Sequence, residues 1–72
     1  WRKLLIAEVE RHHDLMQRRL RHMPIESEEA DGMLAASAEL IRIREAMLGA
    51  DSFDALDACD QRAEALMTRT LA

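Results

Sequence analysis

Apolar residues recur every three or four positions over most of this chain, which is the spacing of an amphipathic helix. The pattern divides into three segments, residues 1–21, 27–48 and 53–71, with short links between them. Because each helical residue turns by about 100°, the first segment carries one apolar stripe of Leu5, Val9, Met16, Leu20 and Met23. The third segment carries a stripe of Phe53, Leu56, Cys59, Ala63, Leu66 and Met67. The sequence therefore predicts an all-α fold in a single domain, residues 1–72.

The predicted start of the middle helix follows Pro24, which ends the first helix. Ser27 is placed to cap the second helix, because its side-chain oxygen can accept a hydrogen bond from a free amide of the first turn. The two glutamates that follow suit the positive end of the helix dipole. A later start at Asp31 stays open, because Asp31 and Gly32 also form a typical turn pair.

The end of the middle helix is predicted at Gly49, in a left-handed cap that glycine adopts at little cost. Asp51 or Ser52 is then the N-cap of the third helix. The sequence does not decide between these two residues.

Two faces of the middle segment are apolar. One face has the alternating spacing that packs helices at shallow angles and consists of Met33, Ala36, Leu40, Ile43 and Met47. The other face consists of Leu34, Ala38, Ile41 and Leu48. Such a helix needs two neighbours. One arrangement is a closed three-helix bundle; the other is an antiparallel hairpin whose second face, or whose third helix, packs against another copy or a partner.

These patterns define a predicted core and a predicted interface. The core is Leu5, Val9, Met16, Leu20, Met33, Leu40, Ile43, Met47, Leu56 and Leu66. The interface is Leu34, Ala38, Ile41 and Leu48. An up-down-up course brings the start of the first helix, the end of the second and the start of the third to one end, so Trp1, Leu48 and Phe53 should cluster there.

Length and composition change the picture by favouring self-association. A 72-residue chain buries only about 60% of the surface that its unfolded form exposes, and small helical domains often compensate by oligomerising. Cys59 is the single cysteine, so no internal disulfide forms and a reducing compartment is expected. No apolar run suits a membrane span. We expect a cytoplasmic homo-oligomer. Trp1 in place of methionine suggests that the chain begins inside a longer translation product or that processing removed its start.

Charge is distributed unevenly. Residues 1–23 hold six Arg or Lys and three acids, a formal balance of +3, whereas residues 24–72 hold four and eleven, a balance of −7. The two parts should therefore attract each other, although each exposed pair contributes only a few tenths of a kcal/mol.

Candidate metal ligands are few. His12 and His13 are adjacent, so on a helix they point about 100° apart and cannot readily hold one ion. Glu8 shares a face with His12, but no second helix offers a histidine. Four aspartates recur every three residues: Asp51, Asp54, Asp57 and Asp60. This pattern indicates a helix cap followed by a solvent-exposed helix face rather than a calcium-binding loop. With no nucleophile triad or glycine-rich phosphate loop either, we expect no metal, no cofactor and no enzymatic activity.

Nucleic-acid binding is the alternative from a different class. Lys3, Arg11, Arg18 and Arg21 project from one broad face of the first helix, and three helices could form a helix-turn-helix. The net charge of −4 and the acidic third helix oppose it, because phosphate would repel that helix.

The stretch LAASAELIRIREAML, residues 34–48, together with Trp1, Leu4 and Leu5 at the head of a basic helix, resembles small helical-hairpin proteins encoded among tailed-phage structural genes. Those proteins often carry glycine where this chain has Ser37 and Ala38. The resemblance covers residues 1–48 and leaves the third helix unexplained. It implies a small virion or head-tail assembly component that contacts larger capsid or connector subunits. The sequence thus predicts a non-enzymatic helical module for protein-protein interaction or assembly, and a small regulatory DNA-binding domain is the second hypothesis.

Overall fold

The computed structural model describes residues 2–71, which form three α-helices and no strand. Helix α1 spans Arg2–Leu20, α2 spans Glu28–Leu48 and α3 spans Phe53–Leu71. The all-α prediction is confirmed; the predicted start at Trp1 lies outside the described residues. No helix in this range is both long enough and apolar enough to cross a membrane.

The start of α2 is fixed by Ser27. Its Oγ accepts a hydrogen bond from the Ala30 amide at 3.1 Å and donates one to the Pro24 carbonyl at 3.0 Å. This cap satisfies one of the free amides of the first turn. The helix therefore begins at Glu28, and the later start at Asp31 is not used.

The end of α2 differs from the prediction. Gly49 has a φ of −94°, which any residue adopts, so the predicted left-handed cap is wrong. The Gly49 amide donates to the Glu45 carbonyl at 3.2 Å, and the Ala50 amide donates to the Met47 carbonyl at 3.2 Å. A final tightened turn therefore satisfies these carbonyls without a positive φ.

The start of α3 is capped by Ser52 rather than Asp51. Ser52 Oγ accepts a hydrogen bond from the Ala55 amide at 3.2 Å, and the Leu56 amide donates to the Ser52 carbonyl at the same distance. Serine and aspartate are comparable caps, so only the course of the link decides which one is used.

The core lies on one broad face of α2, between α1 and α3. Helix α2 contributes Ala30, Met33, Ala36, Leu40, Ile43 and Met47. Helix α1 contributes Ile6, Val9 and Met16, and α3 contributes Leu56, Cys59, Ala63, Leu66 and Met67. Eight of the ten predicted core residues are therefore buried.

The other two predicted core residues, Leu5 and Leu20, are only partly buried and pack against the edge of the core. Ile6 is buried in addition, although the predicted stripe omits it. Consecutive residues of a helix point about 100° apart. The buried face of α1 is therefore rotated from Leu5 toward Ile6.

Both neighbours of α2 pack on this one broad face, whereas the sequence suggested one neighbour for each apolar face. Toward α1, Gln17 Nε2 donates a hydrogen bond to the buried Ser37 Oγ at 2.8 Å. Toward α3, the Arg62 guanidinium contacts Glu39 Oε1 at 3.0 Å. The bundle closes within one chain and leaves the second apolar face of α2 outside.

The ion pair that joins α1 to α2 has the opposite polarity from the one that the charge distribution suggests. Arg44 of α2 contacts Glu10 of α1 at 3.3 Å, with both side chains partly exposed. Asp14 and Arg18 form an ion pair within α1, so this arginine does not pair with an acid of α2 or α3 among the ion pairs of residues 2–71. Such exposed pairs contribute about 0–1 kcal/mol each, so apolar packing decides the arrangement.

Arg2 ties one end of the bundle together. Its guanidinium donates hydrogen bonds to the carbonyls of Leu48 and Ala50, so the start of α1 lies beside the end of α2. Arg2, Phe53 and Leu56 line one shallow surface depression, which brings the start of α3 to the same end. This is the up-down-up course. Leu48 and Phe53 are nevertheless about half exposed, and the predicted contact with Trp1 lies outside the described residues.

Candidate interaction surface

Four apolar residues of α2 lie together on the outside of the bundle: Leu34, Ala38, Ile41 and Leu48. We call this set the outer stripe. The exposed fractions of Leu34, Ile41 and Leu48 are 55%, 45% and 49%, and Ala38 is also exposed. Seven residues are nearly two helical turns, so positions 34, 41 and 48 stack in one row. An extended apolar surface of this kind is typical of a protein-protein contact.

The position of the outer stripe on the bundle follows from the contacts that nearby residues of α2 make with α1. Ser37 and Arg44 both face α1, through Gln17 and Glu10 respectively. Ile41 is about 40–60° around the helix from Ser37 and Arg44, and Leu34 and Leu48 each lie within about 20° of Ile41. The outer stripe therefore borders the side of α2 that contacts α1, and it lies away from α3.

A groove with a volume of about 450 Å³ runs between α1 and α2 beside Ile41. Its floor includes the buried residues Val9 and Leu40. Its walls carry mostly charged side chains: Glu10, Arg11, Asp14 and Arg44, with His13 beside them. The groove is partly open to solvent. Its shape therefore suits the ridge of a docking helix better than an enclosed small molecule.

Exposed charged residues flank the outer stripe on both sides. On the α1 side, Arg18 lies among the acids Glu10 and Asp14, on the part of α1 that borders the groove or just beyond it, by the helical rotation of about 100° per residue. On the side away from α1, Asp31 and Glu45 are exposed on α2. The stripe is thus bordered by charges of both signs next to α1 and by acids on α2.

A polar seam lies between α1 and α3, away from the outer stripe. His12 Nε2 is 3.7 Å from Glu8 Oε1, and neither it nor Asp60 Oδ1 has a hydrogen-bond partner, although both atoms are buried. Burial raises the pKa of Asp60 above its ordinary value of 3.8, the carboxylates of Glu8, Glu64 and Asp57 raise it further, and His12 opposes them. Within residues 2–71, no group of three or more His, Cys, Asp or Glu side chains is arranged to hold a metal ion.

We expect Asp60→Asn to raise the melting temperature at pH 7. An acid with a raised pKa in the folded state binds its proton more tightly there, so stability falls as pH rises through the interval between the ordinary pKa of 3.8 and the raised value. The asparagine variant escapes this loss. Its advantage over the unmodified chain should therefore disappear below pH 3.8, where both forms are neutral.

Thermal unfolding followed by circular dichroism at pH 3 and pH 7 measures this difference. Asp51→Asn, the same change at an exposed position in the link before α3, is the matched control and should shift stability by no more than about 0.5 kcal/mol. A lower melting temperature for Asp60→Asn at pH 7 would mean that the carboxylate stabilises the seam.

The structure brings together all four predicted interface residues, but the charged walls of the groove carry no sequence signal that singles them out. Glu10 and Arg44 lie beside apolar stripes, as many charged residues do. Their pairing depends on how far α1 slides along α2. The one usable signal is Ser37, a polar residue within the apolar pattern of α2, because a buried hydroxyl needs a partner.

Comparison with known proteins adds no relative. No protein-family model matches the chain, and no curated protein or solved structure is similar enough to count as a match.

Proposed function

We propose that this chain is a non-enzymatic module for protein-protein interaction and assembly, which binds through the outer stripe. The observation that carries the proposal is the exposure of Leu34, Ile41 and Leu48 on a bundle that is already closed. These three residues are not needed to complete the core. Covering them would remove apolar area from water at about 25 cal/mol per Å².

The small size of the bundle supports the same proposal. With 72 residues, the chain has a limited core, and burying a further apolar face against another protein would add to its stability. Self-association is the simplest route. A role as a virion or head-tail assembly component, which the resemblance of residues 1–48 implies, is the more specific form of this proposal.

A second candidate function rests on the exposed cations of α1 and of the first residue after it. Lys3, Arg11, Arg18 and Arg21 are all exposed, so a phosphate backbone could approach them. Two features oppose this candidate. Arg18 already forms an ion pair with Asp14 at 3.6 Å, and a phosphate backbone would repel the exposed acids of α3. An electrophoretic shift assay with generic duplex DNA at low salt tests this candidate directly.

The test of the interaction proposal compares one apolar change with two polar double changes. We expect Ile41→Arg to weaken association at least about tenfold, because placing a charge in an apolar contact costs more than about 1.4 kcal/mol. The His12→Gln/His13→Gln and Arg11→Gln/Arg18→Gln variants should keep both fold and association. Sedimentation over a range of protein concentrations measures association, and circular dichroism verifies the fold.

Two outcomes would contradict this proposal. Loss of association in the Arg11→Gln/Arg18→Gln variant, while Ile41→Arg still associates, would replace the apolar contact with an ionic one. Unfolding of the histidine variant would show that His12 and His13 have a structural role instead. A chain that stays monomeric at every concentration would restrict the partner to a different, larger subunit.

A further inference from the structure

We infer that the polar seam between α1 and α3 is a proton-operated joint, in which a proton taken up by Glu8, His12 or Asp60 supplies a hydrogen bond across the seam and holds α3 more tightly against α1. We call these three residues the seam cluster. Acidification should therefore tighten the joint, and a rise toward neutral pH should loosen it. The inference does not depend on the outer stripe, which lies away from α3.

Buried polar atoms on both sides of the seam lack hydrogen-bond partners. His12 Nε2 on α1 and Asp60 Oδ1 on α3 are buried and unpaired, and Glu8 Oε1 lies 3.7 Å from the same His12 nitrogen. Buried polar atoms are nearly always hydrogen-bonded, and an unpaired one lowers stability. Two such atoms on neighbouring helices indicate that the seam is short of hydrogen-bond donors.

A count of donors shows what the seam cluster lacks. An ionised carboxylate only accepts hydrogen bonds, and a neutral imidazole carries one N–H. With Glu8 and Asp60 ionised and His12 neutral, one N–H group faces four carboxylate oxygens and one ring nitrogen. An added proton gives a second donor, either on the imidazole or as the O–H of a carboxyl group. A hydrogen bond between this donor and an ionised or charged partner is stronger than a neutral one.

The charges around Asp60 favour uptake of this proton. Burial raises the pKa of Asp60 above its ordinary value of 3.8. The Glu8 carboxylate, across the seam, raises this pKa further, as do Glu64 and Asp57 on the same helix, whereas His12 opposes them. Helix α2 supplies none of these groups. The folded chain thus binds the proton more tightly than the unfolded chain, so the stabilisation is fully present below pH 3.8 and is lost as pH rises through the raised pKa.

The other two boundaries between helices are joined by paired groups. Gln17 donates to Ser37 between α1 and α2, and Arg62 contacts Glu39 between α2 and α3. No ion pair described for residues 2–71 joins α1 to α3. The repulsion between carboxylates is therefore concentrated at the boundary of α1 and α3, and we expect the loosening at neutral pH to occur there.

The reactivity of Cys59 measures the joint, because this single thiol is buried on α3. A pyridyl disulfide reaches it only when α3 moves from its neighbours, and comparing variants at one pH cancels the ionisation of the thiol. We expect Asp60→Asn to react at least about threefold more slowly than the unmodified chain at pH 7, because its amide is an uncharged, permanent donor. The difference should shrink as pH falls toward 3.8.

Glu8→Gln makes the matching change on the α1 side of the seam. It removes the facing carboxylate and adds an amide donor, so it should also slow the labelling of Cys59 at pH 7. Asp60→Asn should then have a smaller effect in a chain that already carries Glu8→Gln, since groups that interact directly are not additive. Asp51→Asn, in the exposed link before α3, is the control and should label at the rate of the unmodified chain.

Two results would overturn the inference. Equal labelling of Asp60→Asn and the unmodified chain at pH 7 would mean that the carboxylate does not loosen α3, and full additivity of Asp60→Asn and Glu8→Gln would mean that no interaction crosses the seam. Urea unfolding of the same variants separates the joint from the whole fold. We expect the unmodified chain at pH 7 to label faster than its global unfolding allows. Labelling that follows global unfolding in every variant would assign the effect to the whole bundle and exclude a joint.

Discussion

Leu40→Asp is expected to unfold the chain. Leu40 is 0% exposed at the centre of the broad face of α2, so the change removes a buried leucine, which costs about 2–5 kcal/mol, and adds a carboxylate without a partner, which costs at least about 2 kcal/mol more. A chain of 72 residues has a total stability of only about 4–11 kcal/mol, at about 0.05–0.15 kcal/mol per residue. Circular dichroism at 25 °C should therefore show loss of most of the helical signal.

The matched control is Ile41→Asp, the same change at the next residue. Ile41 is 45% exposed, so its aspartate stays in water and the helices should persist, while association should weaken. Leu40→Ala gives a graded value, with an expected loss of about 2–5 kcal/mol in denaturant unfolding. If Leu40→Asp retains its helices and its association state, the core does not lie on the broad face of α2.

The helices were predictable because their signals are local. Apolar periodicity sets the extent of each helix, and Ser27 and Ser52 act as caps through hydrogen bonds to residues three positions away. Such contacts need no knowledge of the rest of the fold. Gly49 was predicted wrongly for the same reason. Glycine permits a left-handed cap, but the course of the link toward α3 uses an ordinary φ there.

The rotation of each helix about its axis was less predictable than its extent. Leu5 and Ile6 are both large and apolar, and only the packing of α1 against the other two helices decides that Ile6 is the more buried of the two. Phe53, predicted on the buried stripe of α3, is half exposed, and it is the first residue of that helix. Local pattern gives the apolar side of a helix to within about one residue step, or 100°.

The outer stripe was visible in the sequence as a second apolar face, but its environment was not. Leu34 and Ile41 stay uncovered because α1 and α3 both pack on the first apolar face of α2. Small residues on that face allow both helices to fit there. Ala36 of α2 and Ala63 of α3 are both buried, and such residues let helices approach closely. The groove walls follow from the axial register of α1 on α2, which Gln17 and Ser37 help to fix.

The packing of α3 within the chain leads to a second large effect: Ala63→Leu should destabilise the fold by about 1–3 kcal/mol. Ala63 is 0% exposed near the middle of α3, so three added carbon atoms have no space unless α3 moves away from its neighbours. For a domain of this size, 1 kcal/mol corresponds to about 4–8 °C in melting temperature. The variant should therefore melt at least about 4 °C below the unmodified chain.

Ala65→Leu separates this packing effect from the chemistry of the substitution. Ala65 is two residues away on α3 and exposed, and leucine has nearly the same helix propensity as alanine, so its melting temperature should barely change. Thermal unfolding at several protein concentrations completes the experiment. Because α3 packs on α1 and α2 of its own chain, the deficit of Ala63→Leu should be the same at every concentration, whereas a deficit that grows on dilution would indicate that α3 packs on another chain.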